Sequence, residues 1–474
     1  MNILIVSSNR EYAPFPVPPI GALFVAAALD KAGHQADVLD LAFVRSPSRA
    51  LRSCFRKKNY HAIGLSIRNL DNCLFVRPKS YVPEVKEIAR EIQSLTKAPL
   101  ILGGSGFSVA PQGWLQLLKA PFGILGEGEI AFPALVESLE QGRSPASLPG
   151  VLCYENLLTG KEPFPQSPER FLRDFPQPAH HKCCYKPYLH RGGFVSIQTK
   201  RGCPMKCIYC VYPLLEGKTY RLRPPAQVAE EMERVIREQE GRYMFFTDSV
   251  FNSPREHALD VCRELIHRKV PCQWMAYCNP VGFDGELAQS MMRSGCIGIE
   301  FGLDSVTEKM IQLMGKPFNQ ADIRAGLHAA YQAQMPFAIH LLFGGPGETL
   351  DDVRESQDFL QSCDPAHAVF ASIGIRIHAG TALEQISRKQ GVLKDDSDLF
   401  HPVFYVSPGL GPAPARSLDR IARRRPEWTT PLDWSSLLVR CIQKILNRAG
   451  MRPQWRHISN YGKYMRRNDK KCYS

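Results

Sequence analysis

Arg201-Gly202-Cys203-Pro204-Met205-Lys206-Cys207-Ile208-Tyr209-Cys210, which follows the strand-like run Gly193-Phe194-Val195-Ser196-Ile197-Gln198, decides how this chain is read. The spacing C-x3-C-x2-C gathers three thiolates into one loop. Soft thiolates favour iron–sulfur clusters, zinc or copper(I) over hard cations. Closed zinc sites and ordinary ferredoxin clusters take four protein ligands, yet residues 211–222 contain neither Cys nor His. A metal held by Cys203, Cys207 and Cys210 would keep one position open for a small molecule.

Downstream of this loop, strand-like runs at 193–198, 243–247, 272–276, 296–302, 337–343 and 369–377 alternate with helical patterns. Such alternation predicts six βα units with a parallel sheet. Ser253, Pro254 and Glu256 read as the capping box that opens one of the helices. Reactive groups in parallel barrels stand at the carboxyl ends of strands. That rule singles out Thr247-Asp248-Ser249, Glu300 within Gly298-Ile299-Glu300-Phe301-Gly302, the turn Gly344-Gly345-Pro346-Gly347-Glu348-Thr349, and Arg376 with His378. Plainer readings stand beside these: a helix cap for Asp248, a buried structural carboxylate for Glu300, and turn chemistry for the glycines.

The cysteine loop and its strand resemble the signature of the radical S-adenosylmethionine (SAM) enzymes. The resemblance implies a partial, TIM-like (β/α)6 barrel in which the three cysteines hold a [4Fe-4S] cluster whose fourth iron chelates SAM. It further implies that Tyr209 lies beside the adenine, that Asp248 and Ser249 meet the SAM methionine moiety, that Glu300 meets the ribose hydroxyls, and that Gly345 belongs to the P-G-E-T turn of the cobalamin-dependent members.

The N-terminal third alternates strand-like runs near 2–7, 36–41, 61–67, 99–103 and 122–126 with amphipathic stretches such as Ile20–Ala32 and Val82–Leu95. This predicts a doubly wound α/β sheet, with ligands beyond the carboxyl ends of its strands. The chain places Ser66-Ile67-Arg68-Asn69, Gly103-Gly104-Ser105-Gly106 and Gly126-Glu127-Gly128-Glu129 there. In this order, with Pro18-Pro19-Ile20-Gly21-Ala22-Leu23 before them, they resemble the Rossmann-like cobalamin-binding domain that precedes many radical SAM barrels. Ser66, Arg68, Gly103, Gly104, Gly126 and Glu127 then become candidate cobalamin contacts. The D-x-H-x-x-G loop that offers cobalt a histidine is absent, as no His precedes His34. The resemblance therefore implies cobalamin without a histidine ligand, its lower face screened by Arg68 or Asn69.

These readings divide the chain into a B12-binding domain at 1–150, a linker at 151–192, a radical SAM domain at 193–395 and a small, basic, mostly helical region at 396–474. From Arg416 onward there are fifteen basic and four acidic residues, +11 of the chain's +13, so the body is nearly neutral. Leu438, Cys441, Ile442, Ile445 and Ala449 form an apolar helical stripe. It is read as docking over the barrel opening, with contact to an acidic partner or a membrane surface as the alternatives. Nucleic acid is not expected, since basicity without a recognition module is only an electrostatic footprint. Fifteen unpaired-looking cysteines in 474 residues, with no signal-peptide pattern and no long apolar span, predict a reducing, cytoplasmic setting.

The expectation is thus a cobalamin-dependent radical SAM methyltransferase. It would methylate an unactivated carbon, or a phosphorus, of a small-molecule biosynthetic intermediate by way of a 5′-deoxyadenosyl radical and methylcobalamin, and would draw electrons from an external one-electron reductant of flavodoxin or ferredoxin type. The alternatives are a B12-binding cyclase or rrearrangement enzyme without methyl transfer and, from another class, a non-catalytic iron–sulfur electron carrier or sensor.

Overall fold

The computed structural model describes residues 1–158, 176–239, 241–394, 397–434, 441–442, 445–446 and 450–458. Its first sheet consists of β1 (Asn2–Ser7), β2 (Gln35–Asp40), β3 (Ala62–Ser66), β4 (Leu100–Gly103), β5 (Phe122–Ile124) and β6 (Val151–Cys153), in the order β2-β1-β3-β4-β5-β6. The first five are parallel, and β6 closes the edge antiparallel to β5. Alternation explains why β1 is apolar from Ile3 to Val6. Ile3 and Ile5 enter the core on one face and Leu4 and Val6 the core on the other, as befits a strand covered by helices on both sides.

The second unit begins with β7 (Val195–Ile197). The hairpin β8 (Lys200–Arg201) and β9 (Arg221–Leu222) carries the cysteine loop between its strands, and β10 (Tyr243–Phe246), β11 (Gln273–Cys278), β12 (Cys296–Asp304), β13 (Phe337–Phe343) and β14 (Ala368–Ile373) follow. After the short pair β15 (Ile375–Arg376) and β16 (Phe404–Tyr405), β17 (Trp428–Thr429) adds a seventh strand to the parallel sheet, ordered β17-β14-β13-β12-β11-β10-β7. The six expected barrel strands are all present. The seventh comes from the region read as mostly helical, where two residues leave no period to detect.

Within the barrel, Ile299, Phe301, Leu303, Phe337, Ile339 and Leu341 pack outward against the helices. By strand alternation Glu300, Gly302, Asp304, Ala338, His340 and Phe370 line the lumen. The expected capping box is not formed: the helix begins at Arg255, with Pro254 as an extended N-cap and no side-chain cap. Of the apolar C-terminal stripe, Leu438 and Ala449 lie outside the described residues, as do Arg440, Lys444 and Arg448. Cys441 is exposed and Ile445 is 65% exposed, so the described part is not buried as a stripe. Tail anchoring falls instead to 450–458. Trp455 joins Phe194, Phe245, Met275, Ala338 and Ala368 in a cluster at the amino ends of the barrel strands, and Arg452 donates to the carbonyls of Gly193 and Leu189. Residues 450–458 therefore plug the end of the barrel opposite the cysteine loop.

Candidate functional site

The loop between β8 and β9 is fixed from beneath by backbone and side-chain bonds. Cys203 N–H donates to Gly217 O (3.0 Å) and Ile208 N–H to Met314 O (3.1 Å). Ser249 Oγ donates to Gly202 O at 3.2 Å, so Ser249 supports the loop's backbone. At the loop's root, Asp248 is buried and both its oxygens are engaged. Oδ1 accepts from the N–H groups of Thr199 (2.8 Å) and Lys200 (3.3 Å), while Oδ2 accepts from Thr199 Oγ1 (2.5 Å) and Lys200 Nζ (3.3 Å). The expectation was that Asp248 offers a carboxylate to an ammonium ligand; here both of its oxygens are engaged by protein donors. The carboxylate is spent holding the strand that leads into the cysteines, and Lys200, whose ammonium is disfavoured by burial, depends on it.

Burial pushes the Cys210 thiol up to about 12, and Cys207 is also raised, each with contributions from its neighbouring cysteines. The protein alone does not favour thiolates at Cys207 and Cys210, so a strongly bound cationic group would be needed to draw off their protons. Among the described residues no three His, Cys, Asp or Glu side chains are gathered tightly enough for a single metal ion. Tyr209 departs from expectation at its ring end. Its hydroxyl donates to Asp304, which also receives Lys316, so the phenol is committed to a buried triad at the end of β12.

A cavity of about 450 Å³ opens beyond the carboxyl ends of β1, β3, β4 and β5. One wall contains Ser66, Arg68, Asn69, Gly103, Gly104, Gly126 and Glu127; the other contains Ser196, Gln198, Arg201, Val211, Tyr212, Leu215, Glu216, Thr247 and His378. Two glycines in this wall have no alternative. At Gly104, with φ +93°, a Cβ would lie 2.5 Å from Ile67 O, and at Gly106 it would lie 2.7 Å from Asn69 N. The absence of side chains at these two positions thus lets the turn after β4 pack directly on the backbone of Ile67 to Asn69. No histidine of the first unit lines the chamber, and Arg68 and Asn69 do, so the residues present fit a corrin held without a histidine ligand.

Glu127 does not aim its carboxylate at a ligand. It pairs with Arg221 and, at 3.4 Å, with Arg201, while Glu129 takes Arg201 Nη2 at 2.5 Å. Gly126-Glu127-Gly128-Glu129 therefore serves twice: its backbone bounds the chamber, and its two acids clamp the root of the cysteine loop. A second clamp joins the units where Arg376 Nε donates to Asp71 Oδ2 at 2.8 Å. Arg376 is thus withdrawn from the lumen that sequence alternation suggested, and only His378 of that pair reaches the cavity, its imidazole pushed down to about 4 by burial and by Arg376. Gly345 is also turned away: its N–H donates to Glu348 Oε2 at 2.9 Å, and a Cβ there would meet Met310 and Met314 at 2.8 Å. Glu300 is held by protein on both oxygens, accepting Trp455 Nε1–H at 2.9 Å and lying 2.7 Å from His340 Nε2. His180, from the linker, lies 2.9 Å from Glu231, which also takes Arg223.

Glu216 was not singled out by sequence. It lines the chamber six residues after Cys210 and accepts Gly202 N–H at 3.2 Å. Burial raises its carboxyl to about 7, against the opposing pull of Arg201. Its folded-state value lies above the unfolded one, so its charging opposes folding: the penalty is absent below the ordinary carboxylate range and grows as pH rises to about 7. Glu216→Gln is therefore expected to melt at a higher temperature than the parent at pH 8 and at the same temperature near pH 4, which differential scanning fluorimetry of the apoprotein would check.

Comparison with known proteins agrees with this layout. Residues 9–136 match the B12 binding domain and residues 197–360 the Radical SAM superfamily. The chain is 28% identical over 438 residues to tryptophan 2-C-methyltransferase of Streptomyces laurentii, covering 79% of this chain and 72% of that protein. It is 23% identical over 455 residues to cytidylyl-2-hydroxyethylphosphonate methyltransferase of Streptomyces wedmorensis, covering 83% and 82%. Among solved structures, the radical SAM methyltransferase TsrM from Kitasatospora setae shares the fold with TM-score 0.84 at 24% identity, over 98% of both chains, in a form holding cobalamin and a [4Fe-4S] cluster. A second TsrM structure, with tryptophan substrate and a SAM analogue, gives 0.85.

Proposed function

Because the chain belongs to the radical SAM enzymes that carry an N-terminal B12-binding domain, we infer that the chamber between its two units is where a methyl group passes from cobalamin to a small-molecule substrate. The observation that carries this is the shared wall. Residues directly after the cysteine loop, Val211 to Glu216, face Ser66, Arg68 and the Gly103-Gly104 floor across one cavity. The cobalamin site and the SAM site thus need no large motion to exchange a one-carbon group.

When bound, the corrin supplies a cobalt able to carry methyl, and the cluster supplies the electron that cleaves SAM. This chain's residues supply placement. Cys203, Cys207 and Cys210 are assigned to the cluster, with Ser249 and Asp248 holding the loop beneath it. Gly103, Gly104 and Gly126 would present bare backbone to the corrin, and Arg68 and Asn69 would stand where other domains offer histidine. Tyr209 and Glu300 are assigned to the SAM side through their positions, although their polar ends are bonded to protein. The domain limits proposed are 1–150, 193–395 and 396–474, with β6 showing that the first unit's sheet runs a few residues past 150.

The leading substrate class is an aromatic amino acid or another unactivated carbon centre, by similarity to the tryptophan methyltransferase. Electrons would come from a flavodoxin- or ferredoxin-type protein in a reducing cytoplasm. Among the described residues no helix is long and apolar enough to cross a membrane, and membrane contact through the basic tail rests on charge alone.

The test is anaerobic reconstitution with iron, sulfide and hydroxocobalamin, followed by turnover with methyl-deuterated SAM and L-tryptophan or extracts of small molecules. A deuterated methyl group in the product is expected; ring closure without label would establish the cyclase instead. Bound cob(II)alamin should show no nitrogen superhyperfine splitting in its electron paramagnetic resonance spectrum, and resolved splitting would overturn the arrangement around Arg68.

A further inference from the structure

The wall that the cysteine loop gives to the chamber is a short helix, Tyr212–Leu215, and the residue that ends it. Tyr212, Leu215 and Glu216 all line the cavity. The helix is wedged on two sides: a Cβ on Gly126 would lie 3.5 Å from Leu215 O, and one on Gly380 would lie 3.2 Å from a methyl of Leu214. Glu216 N–H donates to Tyr212 O at 2.8 Å, which closes the turn and sets the two side chains four residues apart on one face. Tyr212 is 41% exposed, yet burial, followed by the charge of Glu216, pushes its phenol up to about 12. A ring with that much free surface and so little access to bulk water faces an enclosed space.

Glu216 is the acid that the joint between the units does not use up. Arg201 pairs with Glu129 at 2.5 Å and Glu127 at 3.4 Å, and Arg221 pairs with Glu127, so two guanidiniums already face two carboxylates before Glu216 is counted. Its Oε2 accepts Gly202 N–H at 3.2 Å, whereas Oε1 has Gln198 Nε2 at 3.5 Å, the outer limit of a hydrogen bond. Gln198 itself is directed to Arg201, whose Nε–H donates to its Oε1 at 2.9 Å. Of the charged groups that bear on Glu216, Arg201 relieves it while Glu127 and Asp248 add to the burden, and burial outweighs them all. A carboxyl held in this way at a cost to the fold, on a chamber wall and with one oxygen poorly met, is short of a donor and of a positive charge.

We propose that Glu216 is a specificity-determining residue that receives a positively charged amine of the substrate, with Tyr212 bearing on the apolar or aromatic frame that carries the amine. This rests on the reading of the chamber as the place of methyl transfer. An ammonium supplies both things the joint lacks, a third cation against the third acid and a strong donor for Oε1. Its frame would lie along the Tyr212 ring one turn back on the same face. A side-chain amide of the corrin is the competing donor, but it is neutral and leaves the third acid unbalanced, and the glycine floor assigned to the corrin belongs to the opposite wall. Glu216 makes and breaks no bond in this role; it selects the substrate and sets its orientation.

The test is calorimetric binding to full-length protein reconstituted with iron, sulfide and hydroxocobalamin. Three probes share an indole frame: L-tryptophan, tryptamine, which keeps the ammonium, and indole-3-propionate, which lacks it. The variant is Glu216→Gln, whose side-chain oxygen can still accept Gly202 N–H. The parent should bind the two amines at least tenfold more tightly than indole-3-propionate. In Glu216→Gln the amines should weaken about ten- to a hundredfold, while indole-3-propionate binds no more weakly than to the parent and iron content and cobalamin affinity keep their parental values. Tyr212→Leu should weaken all three probes alike, about three- to tenfold. Binding is read without turnover, so the two readings fail separately: Glu216-dependent amine binding without labelled product counts against methyl transfer alone, and labelled product with unchanged amine binding in Glu216→Gln counts against Glu216 alone. Four results would overturn the assignment: an amine preference that survives in Glu216→Gln, no binding of either amine to the parent, loss of iron in the variant, which would make Glu216 a support of the loop, or loss of cobalamin affinity, which would make its donor a corrin amide.

Discussion

Replacing Cys203, Cys207 and Cys210 together by alanine is expected to yield a folded protein that takes up no cluster iron and cleaves no SAM. Folding should survive because the loop's anchors are not its thiols. Gly202 and Cys203 donate backbone N–H groups to Glu216 and Gly217, Ile208 donates to Met314, and Ser249 reaches Gly202 O. None of these bonds needs sulfur. Burial disfavours the thiolates of Cys207 and Cys210, so the alanines remove no charged sulfur there from the apoprotein. The whole effect should fall on loading: after anaerobic reconstitution, iron and sulfide drop to background, the visible absorbance disappears, and 5′-deoxyadenosine formation falls by at least a thousandfold. Cobalamin uptake should persist, since its chamber is floored by the first unit. Full iron content in the triple variant would remove the cluster from this loop altogether.

The fold was legible because both units obey periodicities that survive in sequence. β1 through β5 are short apolar runs between amphipathic helices, and β10 through β14 repeat the pattern. The position of the chamber was legible for the same reason: Ser66, Gly103-Gly104 and Gly126 all follow strand ends, and parallel sheets bind there. What could not be read was the commitment of the charged side chains. Glu127 and Arg221 are 94 residues apart, and Asp71 and Arg376 are 305 apart, so no local pattern links them, and Glu127 and Arg376 each looked free to meet a ligand. The protein partners of Asp248 and Glu300 were hidden in the same way: strand ends point to where a carboxylate lies, whereas its partners are chosen by packing. Trp455 is the extreme case. It lies in a proline- and arginine-rich tail with no period, yet the hole it fills is cut by Gly298, more than 150 residues earlier. Glu216 could have been found, since an acid that closely follows the cysteines on a tight hairpin return has few places to go but inward.

Asp248 yields the sharpest contrast between a ligand role and an anchoring role, because the two predict different losses. As a ligand of SAM alone, Asp248→Ala would weaken SAM and leave the cluster untouched. In the structure its side chain is wholly buried and Lys200 is 1% exposed, with Thr199 and Lys200 backbone N–H groups also pointing at it. Alanine there strands a buried ammonium and two amide donors at the root of the cysteine loop. Breaking one side of such a pair costs ~3–5 kcal/mol, so the midpoint of urea unfolding should fall substantially. Iron retention and SAM affinity should fall together, since both depend on where Thr199 and Lys200 place Cys203. Removing the charge from both partners, as Asp248→Asn with Lys200→Met, should recover part of the stability, because no unpaired ammonium remains. Lys200 Nζ also donates to Phe251 O at 2.8 Å, so recovery should stop short of the parent. Equilibrium unfolding, iron content and SAM binding by calorimetry on the three proteins decide the matter: parallel loss with partial rescue marks the anchor, whereas loss of SAM affinity alone, with stability and iron intact, would return Asp248 to the ligand.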